Sequence, residues 1–353
     1  MCRCAQARSR ARSRLTGSGL SPEQEALVAT TVRLLAQLPG LCSPRGCNTI
    51  MPTLLYLVTG VLKDVAVTPP TDTPTEPVSE SASVGACLAT LTNLVSVRQA
   101  SHPEEESQLH LVVQSGLLRI LDLAKTAPTE SQLDEISLLL AIKVYLVYGP
   151  LELVSSPHIK YPCVNAFSAS LQSRHVGVVT RALKILSEIV KQANISVSLT
   201  YIQATAPQVV KMSLGQQVNH PTSQQELALA LECLSFLESL LDIAESDKKS
   251  QLLKIHIPVL INFLSDDRSD SNSNQFKRTL HDTSLTRLTK LGGQFAADFK
   301  NILNSNSEMR QRVERAVIQN AERQKAHSLA AQQSSAAPAQ PSIKLKMDFS
   351  NFK

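Results

Sequence analysis

Few residues in this chain are spaced for covalent chemistry. Cys42-x4-Cys47 and Cys2-x-Cys4 are the close thiol pairs, and neither is matched by a second pair at metal-ligand spacing. Cys2 and Cys4 also stand where lipidation could reach them. The run His102-Pro103-Glu104-Glu105-Glu106 gathers an imidazole and three carboxylates. Pro103 parts the histidine from the acids, however, and the acids fall where the positive end of a helix dipole favours them. Asp266, Asp267 and Asp270 share a loop that lacks the glycine and closing glutamate of a calcium-binding loop. There is no phosphate-binding loop, no H-E-x-x-H pair and no nucleophile elbow. These residues point to a protein that is not an enzyme, with no catalytic residue, no cofactor, no metal and no small-molecule substrate. The one suggestive constellation is non-covalent. Asp348-Phe349-Ser350-Asn351-Phe352 carries an acid and then two phenylalanines, with Asp348, Phe349 and Phe352 as candidate partner-binding residues. An extended peptide of this kind places Phe349 in an apolar pocket while Asp348 meets a basic rim. Ile343, Leu345, Phe349 and Phe352 can equally fold back onto the last helix, and both readings stay open.

The elements that position these residues are helices. From Gln224 the residues Leu227, Ala230, Leu231, Leu234, Leu237, Leu241 and Ala244 form an apolar stripe at helical spacing, opposite Gln225, Glu232, Ser235, Ser239 and Asp242. A turn at 246–249, in which Ser246 or Asp247 caps the next helix, leads to a second stripe of Leu253, Ile257, Leu260, Ile261 and Leu264. Two such helices form an αα-hairpin that cannot bury its whole apolar surface alone. Prolines at matching places in apolar runs, Pro52, Pro207 and Pro258, suggest copies of the same hairpin, with the proline in the first helical turn or at a kink. Helical hairpins recurring every 40–50 residues predict an all-α protein, an α-solenoid of HEAT or armadillo type. Further helices are expected over 21–38, 48–65, 82–97, 107–124, 131–147, 157–171, 176–193, 197–214, 275–291 and 294–303, with Gly149-Pro150 as a break.

Composition agrees with this plan. The 353 residues include 4% aromatic residues and no Trp, so aliphatic side chains must fill the helix layers. The longest apolar candidates, Ile50–Leu62 and Ile136–Val147, are too short to cross a membrane, and Lys143 interrupts the second. Seven scattered cysteines argue for a reduced, cytosolic compartment, where the sequon Asn194-Ile195-Ser196 carries no glycan. Residues 1–19 read as a disordered basic leader, whose Arg3, Arg8, Arg10, Arg12 and Arg14 match the formal excess of +5. The solenoid then spans 20–303, with a polar linker at Thr68–Ser81. A charged helix over 304–330, sparse in apolar residues, is expected to project from the body. Residues 331–353 form a flexible tail ending in the short motif.

The stretch Cys47-Asn48-Thr49-Ile50-Met51-Pro52-Thr53-Leu54-Leu55-Tyr56-Leu57-Val58-Thr59-Gly60-Val61-Leu62, together with the closing Ile343-Lys344-Leu345-Lys346, resembles the C-terminal region of the HEAT repeat-containing protein 5 family (5A/5B), the 5A form more than the 5B. The resemblance covers about Leu20 to Lys353 and makes the chain a C-terminal fragment or short isoform of a much longer protein. It implies a cytosolic scaffold associated with clathrin adaptors, acting in transport between endosomes, trans-Golgi network and plasma membrane. Membrane association would then be indirect and peripheral. The tail motif is in turn similar to acidic-phenylalanine peptides that dock on the ear domains of clathrin adaptors, although Asn351, Lys346 and Lys353 depart from that pattern. Two other classes stay open. A karyopherin-like transport factor usually carries a long acidic inner surface, whereas this body is only mildly acidic. A nucleic-acid-binding helical array is disfavoured because the basic residues sit at the two ends of the chain.

Overall fold

The computed structural model describes residues 21–65, 81–97, 103–126, 135–264 and 275–335. The basic leader, most of the linker at 68–81, the Ser265–Asn274 loop, and the tail with Asp348, Phe349 and Phe352 lie outside the described residues. Sixteen helices and no strand occur among the described residues, so the all-α expectation holds. The contacts divide the chain into two compact units, the break falling between Val259 and Leu260. The sequence reading carries one body from residue 20 to 303, and the break lies inside that span.

The first unit holds α1 (Pro22–Leu35), α2 (Leu38–Leu41), α3 (Pro44–Val65), α4 (Ala82–Val95), α5 (Pro103–Thr126), α6 (Glu135–Tyr148), α7 (Leu151–Ser155), α8 (Pro157–Ser170), α9 (Val176–Gln192), α10 (Ile195–Ser213), α11 (Gln216–Asn219), α12 (Gln224–Ile243) and most of α13 (Ser246–Asn262). Its long helices pack in two rows. In one row α1 packs on α4, α4 on α6, α6 on α9, and α9 on α12; in the other α3 packs on α5, α5 on α8, and α8 on α10. The chain alternates between the rows from α1 to α12, so each hairpin places one helix in each.

Local chemistry explains the boundaries. Ser21 caps α1 in a capping box with Gln24. The helix expected over 21–38 stops at Leu35, and Pro39 and Gly40 fall in the single turn of α2. Pro44 and Pro103 open α3 and α5 four residues earlier than predicted, since proline at a helix start loses no hydrogen bond. Glu104, Glu105 and Glu106 therefore sit within the first turn of α5. Glu245 rather than Ser246 or Asp247 begins α13: its carbonyl accepts from the N–H groups of Lys248 and Lys249, both at 3.0 Å. Asn194 of the sequon caps α10, its Oδ1 accepting from the Ser196 N–H at 3.0 Å. The α4 N-terminus is capped from another helix, for Glu25 of α1 accepts from the Ser81 hydroxyl and from the Ser83 N–H. The Ser81 hydrogen bond, above all, holds the Glu25 carboxyl below its ordinary range.

The repeated prolines lie deep in their helices, not in first turns. Pro52, Pro207 and Pro258 are interior to α3, α10 and α13, and Pro162 of α8, which the pattern missed, completes the set. Those of α3, α8 and α10 all fall in the second row. Each removes one backbone donor, so the carbonyls of Asn48, His158 and Gln203 lose their usual helical partner.

Helices α3, α5 and α6 meet closely around Tyr145 and Gly116. Tyr145 is fully buried and its hydroxyl has no hydrogen-bond partner among the described residues. Burial pushes its pKa above the ordinary tyrosine range. A Cβ on Gly116 would lie 2.7 Å from that hydroxyl and 3.4 Å from Leu55 Cδ1, so only glycine lets α5 approach this closely. In the second row Phe167 and Tyr201 meet edge to face with centroids 5.8 Å apart.

The second unit comprises Leu260 onward, with α14 (Gln275–Gln294), α15 (Ala296–Ser305) and α16 (Ser307–Ser335) in mutual contact. The charged helix does not project. It lies against α14 and α15, burying Ala316, with an Arg312 Nη2 bond to the Leu264 carbonyl at 3.0 Å and an Arg323–Asp282 ion pair at 3.7 Å. The packed face is narrow, with Ala316 buried and Met309 and Val313 half-buried.

Two predictions concern stability. Gly116→Ala should cost about 1–3 kcal/mol by forcing apart a packed contact, whereas Gly60→Ala, which meets nothing within 4 Å, should stabilise by up to about 1 kcal/mol. Thermal melting of both variants checks the difference. His281 is 2% exposed, and desolvation lowers its pKa from the ordinary 6.5 against the raising effect of Asp282, with Arg323 adding to the lowering. Its neutral form is therefore favoured in the folded state, and stability should fall as pH drops below about 6.5, where the unfolded chain takes up the proton first. Protection factors in α14, that is exchange rates corrected for the intrinsic pH dependence of amide exchange, should fall from pH 7.5 to 5.5, and His281→Leu should flatten that dependence.

Candidate functional site

Where successive helices of a row diverge, their outward side chains leave open clefts. The first lies across α4, α6 and α9, has a volume of about 320 Å³, and belongs wholly to the first unit. Leu140, Val144 and Ile185 supply an aliphatic floor, with Leu88 and Ala89 of α4 along one side. Helix periodicity brings Arg181, Lys184 and Glu188 to the same face of α9, while Lys143 reaches across from α6 and pairs with Glu188. Three cations and one carboxylate thus surround the floor. The Thr92 hydroxyl on the α4 side donates to the Leu88 carbonyl at 2.9 Å. The positive charge of the cleft comes from α6 and α9, since α4 carries no charged residue between Ala82 and Val95.

The second cleft, about 370 Å³, lies between α3 and α5 in the other row. Pro52 and Tyr56 form one wall, Leu111, Ser115 and Arg119 the other, and Leu55 and Gly116 line it between them. The Arg119 guanidinium sits 3.5 Å from the centroid of the Tyr56 ring, a cation–π contact that holds both side chains in place. Leu111 is 64% exposed. Arg45 and Glu105 pair at 3.5 Å, and the Asn48 side-chain amide donates to the Glu105 carbonyl at 3.1 Å, which ties the start of α3 to that of α5.

The sequence singled out other residues. Asp348, Phe349 and Phe352 lie outside the described residues, as do Cys2, Cys4, His102, Asp266, Asp267 and Asp270. Cys42 and Cys47 are both free thiols, and Cys47 is buried. Glu104, Glu105 and Glu106 serve the start of α5, with Glu106 3.8 Å from His110. Among the described residues no group of three or more His, Cys, Asp or Glu is placed to hold a metal ion, and no helix is long and apolar enough to cross a membrane. The residues of the first cleft escaped the sequence reading except for Lys143, noted there only as a break in an apolar run. A lone lysine in an otherwise apolar helix was the available signal, together with the 181, 184, 188 spacing. No family model matches this chain.

Thiol chemistry is suppressed in the core. Burial pushes the pKa values of Cys87, Cys163 and Cys233 up to about 12. The thiolate fraction at pH 8 is then on the order of one in ten thousand. Labelling the native chain with a disulfide reagent at pH 8, followed by peptide mapping, should mark the partly exposed Cys42 first among the described thiols. Cys87, Cys163 and Cys233 should stay unlabelled until denaturant is added.

Proposed function

We propose that this chain is a non-enzymatic protein-binding scaffold of the α-solenoid kind, whose helical hairpins stack in two rows and offer interhelical clefts to partner segments. The observation that supports the reading most is the alternation of α1 through α12 between two rows. In stacked-repeat architecture each hairpin leans on its neighbours in sequence, and one face of the stack stays available along its length. The clefts follow from that packing, and their contents suit protein ligands. Tyr and Arg stacked beside an exposed Leu, as at Tyr56, Arg119 and Leu111, are the side chains that dominate protein–protein contacts.

The resemblance of Cys47–Leu62 and Ile343–Lys346 to the HEAT repeat-containing protein 5 family makes the proposal more specific. The chain would serve clathrin-linked vesicle traffic between endosomes, trans-Golgi network and plasma membrane, from the cytosol, through association with clathrin adaptors. In that setting Asp348, Phe349 and Phe352 would form a tethered ligand for an adaptor ear domain.

Purified clathrin adaptor complexes flowed over the immobilised chain test this reading. Saturable retention is expected, and removal of residues 331–353 should weaken it. A synthetic Ile343–Lys353 peptide should bind isolated ear domains, and a Phe349→Ala, Phe352→Ala version should not. Equal, negligible binding by both peptides would remove the tail from the mechanism, and loss of adaptor retention by the whole chain would sink the trafficking assignment.

A further inference from the structure

We infer that the leucine stripe on the outer face of α1 and α2 is a self-association surface, on which a second copy of this chain docks its own α1 in antiparallel register. The inference goes beyond the adaptor reading and does not depend on it.

Helix α1 is apolar on two opposite sides. Its inner side belongs to α4: Ala29 and Val32 are buried, the Thr90 hydroxyl donates to the Val32 carbonyl, and Glu25 accepts from Ser81 and Ser83. At about 100° per residue, Leu27 and Leu34 project from the other side. They are 68% and 64% exposed. The backbone of Ala36 and Gln37 stays right-handed helical, so α2 carries the stripe on to Leu38 and to Leu41, which is 80% exposed. Within the first row α4 lies between α1 and α6, and α6 between α4 and α9. Helix α1 begins the row, and its outer leucines lie where a further helix would pack. The end of a helical stack that faces water carries polar residues there, and this one carries leucines.

The symmetry of the stripe selects a second copy. Thr30 and Thr31, both exposed, stand midway between Leu27 and Leu34. A two-fold axis between the threonines lays Leu27 of one copy on Leu34 of the other, and the reverse, so the stripe complements itself. The short threonine side chains at the crossing allow the helix axes to come close. Such a contact closes at two copies and does not propagate. Charge speaks against a lipid surface. Helix α1 sets Glu23 and Glu25 against Arg33, whereas a helix that lies on an anionic bilayer is rich in lysine and arginine beside its apolar face. A contact built on four leucines from each copy is small, so the dimer is a reversible one.

Sedimentation equilibrium of the full chain from about 1 to about 100 µM should show a reversible monomer–dimer equilibrium. Leu34→Glu should weaken it at least about tenfold, because the carboxylate would be buried against Leu27 of the other copy. Leu27→Lys should do the same. Mixing the two variants reads out the register. In the mixed pair the introduced acid faces the introduced base, and the second Leu27–Leu34 contact is native. The mixture should therefore dimerise at least about fivefold more tightly than either variant alone. Leu111→Glu, at an equally exposed leucine on α5, should leave the equilibrium unchanged. All three positions are exposed, and circular dichroism melts confirm that each variant is folded. A chain that stays monomeric throughout overturns the inference, as does a dimer that Leu34→Glu leaves intact or a mixture no tighter than its components. A monomer that dimerises only after removal of residues 1–20 also overturns it, and makes that segment the occupant of the stripe. So does a monomer that binds phosphatidylserine vesicles and loses them with Leu34→Glu, because the stripe is then a membrane contact.

Discussion

A helix that is apolar around most of its circumference is unstable beside a single partner, because whatever face the partner leaves open remains in water. Helix α6 shows the constraint most plainly. Leu139, Ala141, Ile142, Val144, Tyr145 and Leu146 are all buried although they spread over more than half of the helix circumference. Burial of this kind requires neighbours on several sides, and α4 and α9 in its own row, with α5 and α8 in the other, provide them. Each fully buried aliphatic side chain is worth about 1.5–3 kcal/mol, so the helix is held chiefly by its surroundings rather than by its own propensity. The demand then passes along the chain, since α9 in turn needs α12 and α10.

Surrounding helices so completely buries polar side chains as well. Ser187, Thr205, Ser213 and Ser239 are all buried, and each hydroxyl donates to a carbonyl one turn back in its own helix, at 2.7–3.0 Å. The bond removes the penalty of an unpaired hydroxyl and makes serine or threonine acceptable between helices. Ser198 does related work between elements: it donates toward carbonyls at the end of α9, the nearest that of Ile189 at 3.3 Å, and so fixes the α9–α10 turn. Thr90 binds the Val32 carbonyl at 3.1 Å and joins α4 to α1.

This explains which parts of the structure were legible in the sequence. Helix existence was, because Leu227, Leu234, Leu237 and Leu241 recur at a period no strand can use. Helix faces were less so. Ser239 was placed on the polar face of α12 by its letter, yet its hydroxyl can be satisfied internally and it is buried. Helix starts slipped where a proline opened the helix, at Pro44 and Pro103, and where a backbone carbonyl replaced a side-chain cap, at Glu245. The internal Pro162 escaped because its run, His158 to Phe167, is less apolar than those around Pro52 and Pro258. The basic cleft was not legible at all as a site. Leu88, Lys143 and Lys184 lie on three helices that only the row order brings together, and no local pattern encodes that order.

Charge is partitioned between neighbouring helices of the first row in a way that packing alone does not demand. Helix α9 carries Arg181, Lys184 and Lys191 against one acid, Glu188, whereas α12 carries Glu226, Glu232, Glu238 and Asp242 and no base. The two helices are in direct contact, so their opposite net charges attract one another at long range. On its other side α9 meets α6, whose single cation Lys143 engages Glu188 and so withdraws the only acid from the α9 face. Beyond α6 lies the uncharged α4. Net charges of opposite sign on neighbouring helices thus add a long-range, salt-sensitive attraction to the aliphatic packing of the row.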